Sequence, residues 1–191
     1  MKTGSASNNV SFDASGVKTN NGTAITNRAN EVFRSVQAKS DTAIMGATVC
    51  IAATQVLTTT TNPDVPRVFT ITNTGFGSAT GSVIVTGVLT DGTSSAESIA
   101  ITSGGVVIGS KAFTTVINVT LSSTCDATNS ISVGTTDKIG LANSLHGNST
   151  FVYKVKQGTA DIIVPAVDGM NSTIEFSTIT NGIDYAVWYK Y

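Results

Sequence analysis

A run of short segments with a two-residue hydrophobic period, from Arg67 to Leu141, constrains the fold of this chain more than any other feature. Apolar residues alternate there with Thr, Ser and Gly, most regularly within Arg67–Asn73 and Phe113–Leu121. Because successive side chains of a strand point to opposite faces of a sheet, this period predicts antiparallel strands with one buried face. The alternation in Phe113–Leu121 predicts that Ile117 lies on the core side.

Turn signals divide the run into strands. Ser82–Thr90 and Glu97–Ser103 are predicted to form a hairpin around the Asp91-Gly92 turn, since such dipeptides favour tight turns between alternating segments. Val106–Ile108 is predicted to be a short strand that ends in a turn at Gly109. Strands at a spacing of roughly 8–12 residues indicate a sandwich or a barrel.

The predicted fold is therefore all-β, an antiparallel β-sandwich of jelly-roll or immunoglobulin-like type. We expect this sandwich to comprise residues 47–191 and to be preceded by an N-terminal arm with a short helix over residues 1–46. The last segment, Tyr185–Tyr191, alternates aromatic and aliphatic residues and is predicted to be a strand. That strand either closes the sandwich or adds to the sheet edge of a neighbouring subunit.

The N-terminal segment is predicted to be an extended arm. Residues 1–27 are mostly Gly, Ser, Asn and Thr, with isolated apolar residues that include Val10 and Phe12. This apolar surface is too small to offset the entropy lost on ordering the segment alone. We therefore expect the arm to be held by a neighbouring subunit.

A short helix is predicted over Asn27–Lys39. Asn27 can cap its first turn, and Val32, Phe33 and Val36 form a narrow apolar stripe on one side. Such a stripe docks either on a sheet edge of its own chain or on another subunit.

The charge content restricts the classes of partner. Charged residues are 12% of the chain, against about 25% in average soluble proteins. A surface so poor in charge suits a protein whose faces are covered by other subunits, and the alternative is a secreted β domain with a Thr-rich surface. The formal net charge is −1, and the 11 Lys and Arg residues are spread along the chain, which argues against binding to nucleic acid.

The sequence predicts neither a membrane segment nor a secretion signal. No stretch reaches the roughly 20 apolar residues that span a bilayer, and residues 1–9 lack the apolar core of a signal peptide. We expect synthesis and folding in a cytosol. Cys50 and Cys125 are then expected to be buried or partly buried free thiols.

Residues suited to catalysis are scarce. A Ser-His-Asp arrangement would have to use His146, the one histidine, with an acid such as Asp137, yet no Gly-x-Ser-x-Gly motif supplies a nucleophile. One histidine and two distant cysteines do not match the ligand spacing of a zinc site. We predict a protein that is not an enzyme, with no catalytic residue, metal, cofactor or small-molecule substrate.

The block from Pro66 to Leu141 resembles a β module of small virion structural proteins of tailed bacteriophages. The likeness rests on turn and core positions in Arg67–Asn73, in the Val-Thr-Gly segment that ends at Gly92, and in Glu97–Ile99, Gly109–Val116 and Ser132–Leu141. The resemblance implies a non-enzymatic subunit that binds a capsid lattice. The expected function is that of a head decoration or cement protein, located in the virion and made in the host cytoplasm.

The expected partners are other copies of the chain, as a homotrimer, and the major capsid protein. Two alternatives remain open: a tail-tube or neck subunit of the virion, and a receptor- or glycan-binding β module in which Trp188 and nearby tyrosines stack on sugars. The candidate interface consists of apolar and aromatic residues near the two ends of the chain. These residues are Val10, Phe12, Val32, Phe33, Val36, Trp188, Tyr189 and Tyr191.

Overall fold

The computed structural model describes residues 27–191 except 52, 59, 76–80 and 123–126, together with the backbone of three short strands nearer the N-terminus. The described residues form strands and one 3₁₀ turn, Ser149–Phe151. The strands are β1 Val10–Asp13, β2 Gly16–Thr19, β3 Ala24–Ile25, β4 Arg28–Val36, β5 Met45–Val49, β6 Gln55–Leu57, β7 Arg67–Asn73, β8 Ser82–Leu89, β9 Ser94–Ala100, β10 Val106–Leu121, β11 Ser130–Gly140, β12 Val152–Gln157, β13 Ala160–Ile162, β14 Ala166–Asp168, β15 Thr173–Glu175 and β16 Ile183–Lys190.

The strands form antiparallel sheets packed as a sandwich, so the predicted fold class is confirmed. The larger sheet has the order β14-β15-β11-β7-β10-β8-β9, with β5 paired to β11 and β6 paired to β10. A four-stranded sheet has the order β13-β12-β16-β4, and β1, β2 and β3 form a small sheet of their own. The predicted hairpin is present as β8 and β9, joined through Gly92 at a φ of +83°.

The long strand β10 holds the larger sheet together. Its first half pairs with β7 and its second half with β8, while the last residues also pair with β6. Side chains from both regions share the first core, where the rings of Phe69 on β7 and Phe113 on β10 stack with centroids 5.5 Å apart. The two halves of this sheet therefore face each other across one apolar core.

The predicted turn at Gly109 is wrong, because the chain continues there as part of β10. The pairing with β7 shifts register between Ile108 and Ala112. The Glu97 carboxylate accepts hydrogen bonds from the backbone amides of Ser110, at 2.6 Å, and Lys111, at 3.2 Å. These bonds satisfy amide groups at the irregularity, so the strand bends without ending.

The predicted core position of Ile117 is also wrong. A second register shift, against β8, lies between Val116 and Asn118. The extra residue of such a bulge changes which side chains face inward. As a result Val116 is buried and Ile117 is 50% exposed.

The second core lies between the four-stranded sheet and one end of the larger sheet. Tyr185, Val187 and Tyr189 alternate on the inner face of β16 and pack with Ile139 of β11 and Ile174 of β15. The C-terminal strand pairs with β12 on one side and β4 on the other. It thus closes a sheet of its own chain, one of the two outcomes expected from its pattern.

The predicted helix over Asn27–Lys39 is wrong, because Arg28–Val36 forms strand β4 next to β16. Ala29, Glu31 and Phe33 point inward, and the residues between them point outward, which is the period of a strand. Ser35 then adopts a φ of +49°, which breaks the alternation and lets Val36 face the core as well. Pairing with β16 along the whole strand outweighs a weak helical pattern.

Cys50 corrects the expectation of free thiols. Its side chain is fully buried beside the first core and is disulfide-bonded. The other cysteine of the chain, Cys125, lies outside the described residues. The free thiol predicted at position 50 is therefore wrong.

A buried arginine lies where the two cores meet. Arg67, at the start of β7, is between Val65 in the second core and Phe69 in the first, and it is fully buried. Its Nε and Nη2 donate to the two carboxylate oxygens of Asp64, both at 3.1 Å. Its Nη1 donates to the carbonyl of Thr136 in β11, at 2.8 Å, and Nη2 also donates to the carbonyl of Gln37.

The Asp64 carboxylate extends this network by accepting from the Gln37 backbone amide at 2.6 Å. One ion pair therefore joins the segment after β4, the loop before β7 and the irregular part of β11. Further along, the backbone of the segment after β4 lies directly against Gly134 of β11. A Cβ atom at position 134 would lie 2.2 Å from the Ser40 carbonyl oxygen. The Thr135 amide donates to that oxygen at 2.9 Å. Glycine at 134 is required for this close approach.

We predict that Arg67→Met lowers the free energy of unfolding by about 3–5 kcal/mol, because it leaves the partly buried Asp64 carboxylate without its counter-ion and two carbonyls without their donor. Urea denaturation followed by circular dichroism measures the change. Lys138→Met is the matched control, since Lys138 forms a surface ion pair with Glu175, and such pairs contribute about 0–1 kcal/mol. Equal losses in the two variants would show that the buried network is dispensable.

Candidate binding surfaces

Three residues of the predicted interface are buried by their own chain. Phe33, Val36 and Tyr189 belong to the second core. A side chain that is covered within the subunit offers no surface to a partner. Two of the three residues of the apolar stripe that suggested docking, Phe33 and Val36, are therefore used within the subunit.

The remaining interface residues lie in different settings. Val32 is 45% exposed, and Trp188 and Tyr191 are partly exposed. Val10 and Phe12 lie in β1, and their side chains are outside the described part of the structure. An interface role stays a prediction for these five residues.

A groove of about 980 Å³ is lined by β7, β10 and β11 on one side and by residues 161–166 and 175–178 on the other. Its lining includes Ile163, which is 94% exposed, and Thr70, whose buried Oγ1 has no hydrogen-bond partner among the described residues. The carboxylates of Asp137, Asp161 and Glu175 are each in an ion pair with a lysine. These acids are thus engaged in structural contacts.

The acid considered as a partner for His146 is held elsewhere. One oxygen of Asp137 forms an ion pair with Lys39 at 3.4 Å, and the other accepts from the Ile179 amide at 3.2 Å. His146 is exposed and lies in a loop, where it has a φ of +50°. Its backbone amide donates a hydrogen bond to the Ser144 hydroxyl. Asp137 therefore serves structural contacts of strand β11, and His146 belongs to a loop.

Among the described residues, no group of three or more His, Cys, Asp or Glu side chains is arranged to hold a metal ion. In the part of the chain that the structure describes, no helix is long and apolar enough to cross a membrane.

A partly buried polar cluster links the four-stranded sheet to the loop after β11. The Tyr189 hydroxyl donates to Glu31 at 2.9 Å and accepts from the Asn143 amide side chain at 3.0 Å. The Ala142 backbone amide also donates to the Glu31 carboxylate. Burial raises the pKa of Glu31, and these hydrogen bonds oppose the rise only in part.

The same burial raises the pKa of Tyr189 to about 12, aided by the negative charge of Glu31, although the Asn143 side chain opposes it. The tyrosine therefore remains a hydrogen-bond donor over the physiological range. The hydrogen bonds of Glu31 and Tyr189 with residues 142 and 143 therefore attach this loop to β4 and β16.

The outer face of the larger sheet is uncharged over four strands. Val56 on β6, Thr120 on β10, Ile84 on β8 and Ser98 on β9 lie side by side in the registers of these strands. Val56 is 59% and Ile84 37% exposed. The next row along the strands continues with uncharged side chains, namely Asn118, Thr86 and Ala96. We refer to these seven residues, together with the exposed Ile117, as the neutral face.

The outer face of the four-stranded sheet is different in character. Trp188 on β16 lies between Lys154 on β12 and Asn30 on β4, and the Lys154 Nζ is 5.5 Å from the centroid of the tryptophan ring. Cations continue on this face at both ends of the central strands. We call it the basic face, and its charged members are Arg28, Arg34, Lys154, Lys156, Lys190, Asp161 and Asp184.

Sequence reasoning missed the basic face because its cations come from segments far apart in the chain. A signal was present in β4, where Arg28, Asn30, Val32 and Arg34 occupy alternate positions. Read as a strand, that segment places all four side chains on one face. The helical interpretation hid this arrangement.

Comparisons with known proteins returned no match, whether to family models, to curated proteins or to solved structures.

The buried Glu31 predicts a specific pH dependence of stability. Its pKa in the folded state is raised above its ordinary value of 4.5. Its protonated form therefore favours folding, and this contribution is fully present below pH 4.5 and lost as the pH rises through the folded pKa. In the wild type this contribution makes the melting temperature fall as the pH rises from 4.5 through the folded pKa of Glu31. We expect Glu31→Gln to make this fall less steep. Thermal unfolding at a series of pH values measures it.

The control for this experiment is Glu175→Gln, because Glu175 is an exposed member of a surface ion pair. Two other carboxyl groups with shifted pKa values, Asp91 and Asp168, affect stability in a different pH range. Hydrogen bonds, chiefly from Thr93 to Asp91 and from Asn171 to Asp168, lower their pKa values, so their contributions disappear only as the pH falls below their ordinary value of 3.8. An unchanged slope in Glu31→Gln would contradict the assignment.

Proposed function

We propose that this chain is a structural protein of a phage virion, a decoration or cement protein that binds the outside of a capsid shell and stabilises it. The neutral face is the observation that carries the proposal. Exposed Val56, Ile84 and Ile117 lie there among Thr, Asn, Ser and Ala side chains. A face that combines exposed aliphatic residues with uncharged small ones can be buried in an interface without desolvating a charge.

The partners in this proposal are other copies of the chain, as a homotrimer, and the major capsid protein. The likeness of Pro66 to Leu141 to virion structural proteins supports the same class, since β7 to β11 supply most of the first core and all of the neutral face except Val56. The low charge content of the chain is consistent with extensive coverage by other subunits. The proposed location is the virion.

We predict that Ile84→Arg abolishes self-association and binding to the shell while the subunit stays folded. Ile84 points away from the core, so the substitution is tolerated in the monomer, whereas an unpaired charge buried in an interface weakens association by roughly a hundredfold or more. Light scattering measures the oligomeric state, and electron microscopy of capsids incubated with the protein measures occupancy.

Met170→Arg is the matched control, because Met170 is 82% exposed in a turn away from the neutral face. This variant should associate and bind like the wild type. If Ile84→Arg still saturates capsids, the neutral face is not the contact. Rings at the neck or tail, instead of trimers on the shell lattice, would favour a tail-tube or neck subunit.

A further inference from the structure

The fold collects cations that are dispersed in the sequence. Five of the 11 Lys and Arg residues of the chain lie on the basic face, contributed by β4, β12 and β16. Their side chains share this face because the registers of the sheet place them at outward positions. Two carboxylates, Asp161 and Asp184, accompany the five cations, so the face carries a surplus of positive charge.

The ion pairs on this face are unevenly distributed. Asp184 binds Arg34 at 2.8 Å, and Asp161 is shared between Lys154, at 3.3 Å, and Lys156, at 3.7 Å. At this end of the face, three cations therefore form ion pairs with only two carboxylates.

At the other end, two cations oppose each other. Lys190 and Arg28 are directly paired across β16 and β4. Within the described residues neither has an ion-pair partner. Like charges directly opposite each other destabilise a sheet, and a bound anion would relieve that repulsion. This pair is the electrostatic reason to expect an anionic ligand.

An aromatic platform lies next to the unpaired cations. Trp188 is two residues from Lys190 on the same strand, a distance of about 7 Å along the sheet. Asn30 lies directly opposite Trp188 and offers both an amide donor and a carbonyl acceptor. The indole, the amide and the two cations are therefore neighbours on one surface, on which Asn30 and Arg28 are exposed and Trp188 and Lys190 partly exposed.

We propose that the basic face binds an acidic saccharide. A pyranose ring packs its C–H groups on the Trp188 indole, Asn30 exchanges hydrogen bonds with its hydroxyls, and Lys190 with Arg28 binds a carboxylate, sulfate or phosphate on the adjoining sugar. The proposed ligand is thus a carbohydrate polymer with one anionic group on each residue or on alternate residues.

A single-stranded nucleic acid fits this surface less well. Strands that bind nucleic acid without sequence preference offer several aromatic side chains, on which successive bases stack. Two aromatic side chains on the strands of this sheet are partly or fully exposed, Trp188 on β16 and Tyr153 on β12, which is 47% exposed and precedes Lys154. Along its own strand Trp188 is flanked at outward positions by Ala186 and Lys190, so a nucleic-acid strand that followed β16 would find one stacking position there.

Trp188 also provides the assay, because it is the only tryptophan of the chain. We expect its fluorescence to change saturably when the purified protein is titrated with a short oligomannuronate, which carries a carboxylate on every sugar. A cello-oligosaccharide of matched length, which is neutral, should bind more weakly by about tenfold or more, since it lacks the charged acceptor for Lys190 and Arg28. Added salt should weaken only the acidic ligand.

Variants locate the site. Lys190→Ala and Arg28→Ala should each raise the dissociation constant for oligomannuronate by about tenfold. Calorimetry with Trp188→Ala should show lost binding, and thermal unfolding tests whether that variant is folded. Lys138→Ala is the matched control, because Lys138 lies on β11 in the larger sheet, and its affinity should equal that of the wild type.

Four results would overturn the proposal. They are a tryptophan fluorescence that does not respond to oligomannuronate, equal affinity for the neutral oligosaccharide, full affinity in both Lys190→Ala and Arg28→Ala, and tighter binding of an oligothymidylate, which would make the face a nucleic-acid site. The assay uses the free protein, so its outcome is independent of whether the neutral face binds a capsid.

Discussion

The buried guanidinium of Arg67 is the interaction on which the arrangement of the two cores depends. Apolar side chains determine that a core forms, but they allow neighbouring layers to shift with little penalty. Arg67 removes that freedom, because its donors must be satisfied in a fixed planar geometry. The Asp64 carboxylate and the carbonyls of Gln37 and Thr136 supply the acceptors. Two sheets and the loop between β6 and β7 are thereby held in one register.

Strand β11 carries this constraint from one core to the other. Its first half places Ile131 and Val133 in the first core, and its second half places Ile139 in the second. The pairing with β7 is interrupted between Thr135 and Ile139, where the Thr136 carbonyl turns to Arg67 and the Thr136 hydroxyl donates to the Val68 carbonyl. The irregularity in the ladder therefore has its polar groups satisfied, and one strand serves two cores.

The sequence predicted the fold class because two-residue alternation leaves few other structures. It located the β8–β9 hairpin and the terminal strand, where the pattern and the turn residues agree. It failed where one residue changes the register: Gly109 was interpreted as a turn, and Ile117 as a core residue, since a bulge shifts side chains without a local signature. The helix predicted at β4 failed because Val32, Phe33 and Val36 satisfy a helical stripe as well as a strand broken at Ser35.

The binding surfaces were harder to predict because outward positions are not constrained by the core. Many polar side chains at these positions are compatible with folding, so the fold alone does not predict their composition. The low overall charge of 12% conceals an uneven distribution, with uncharged residues on the outer face of one sheet and five cations on that of the other. Folding requires neither the uncharged face nor the charged one. The like charges of Lys190 and Arg28, directly opposite each other, weaken the four-stranded sheet. The two partners proposed above, one apolar and one anionic, would account for an uncharged face on one sheet and a charged face on the other.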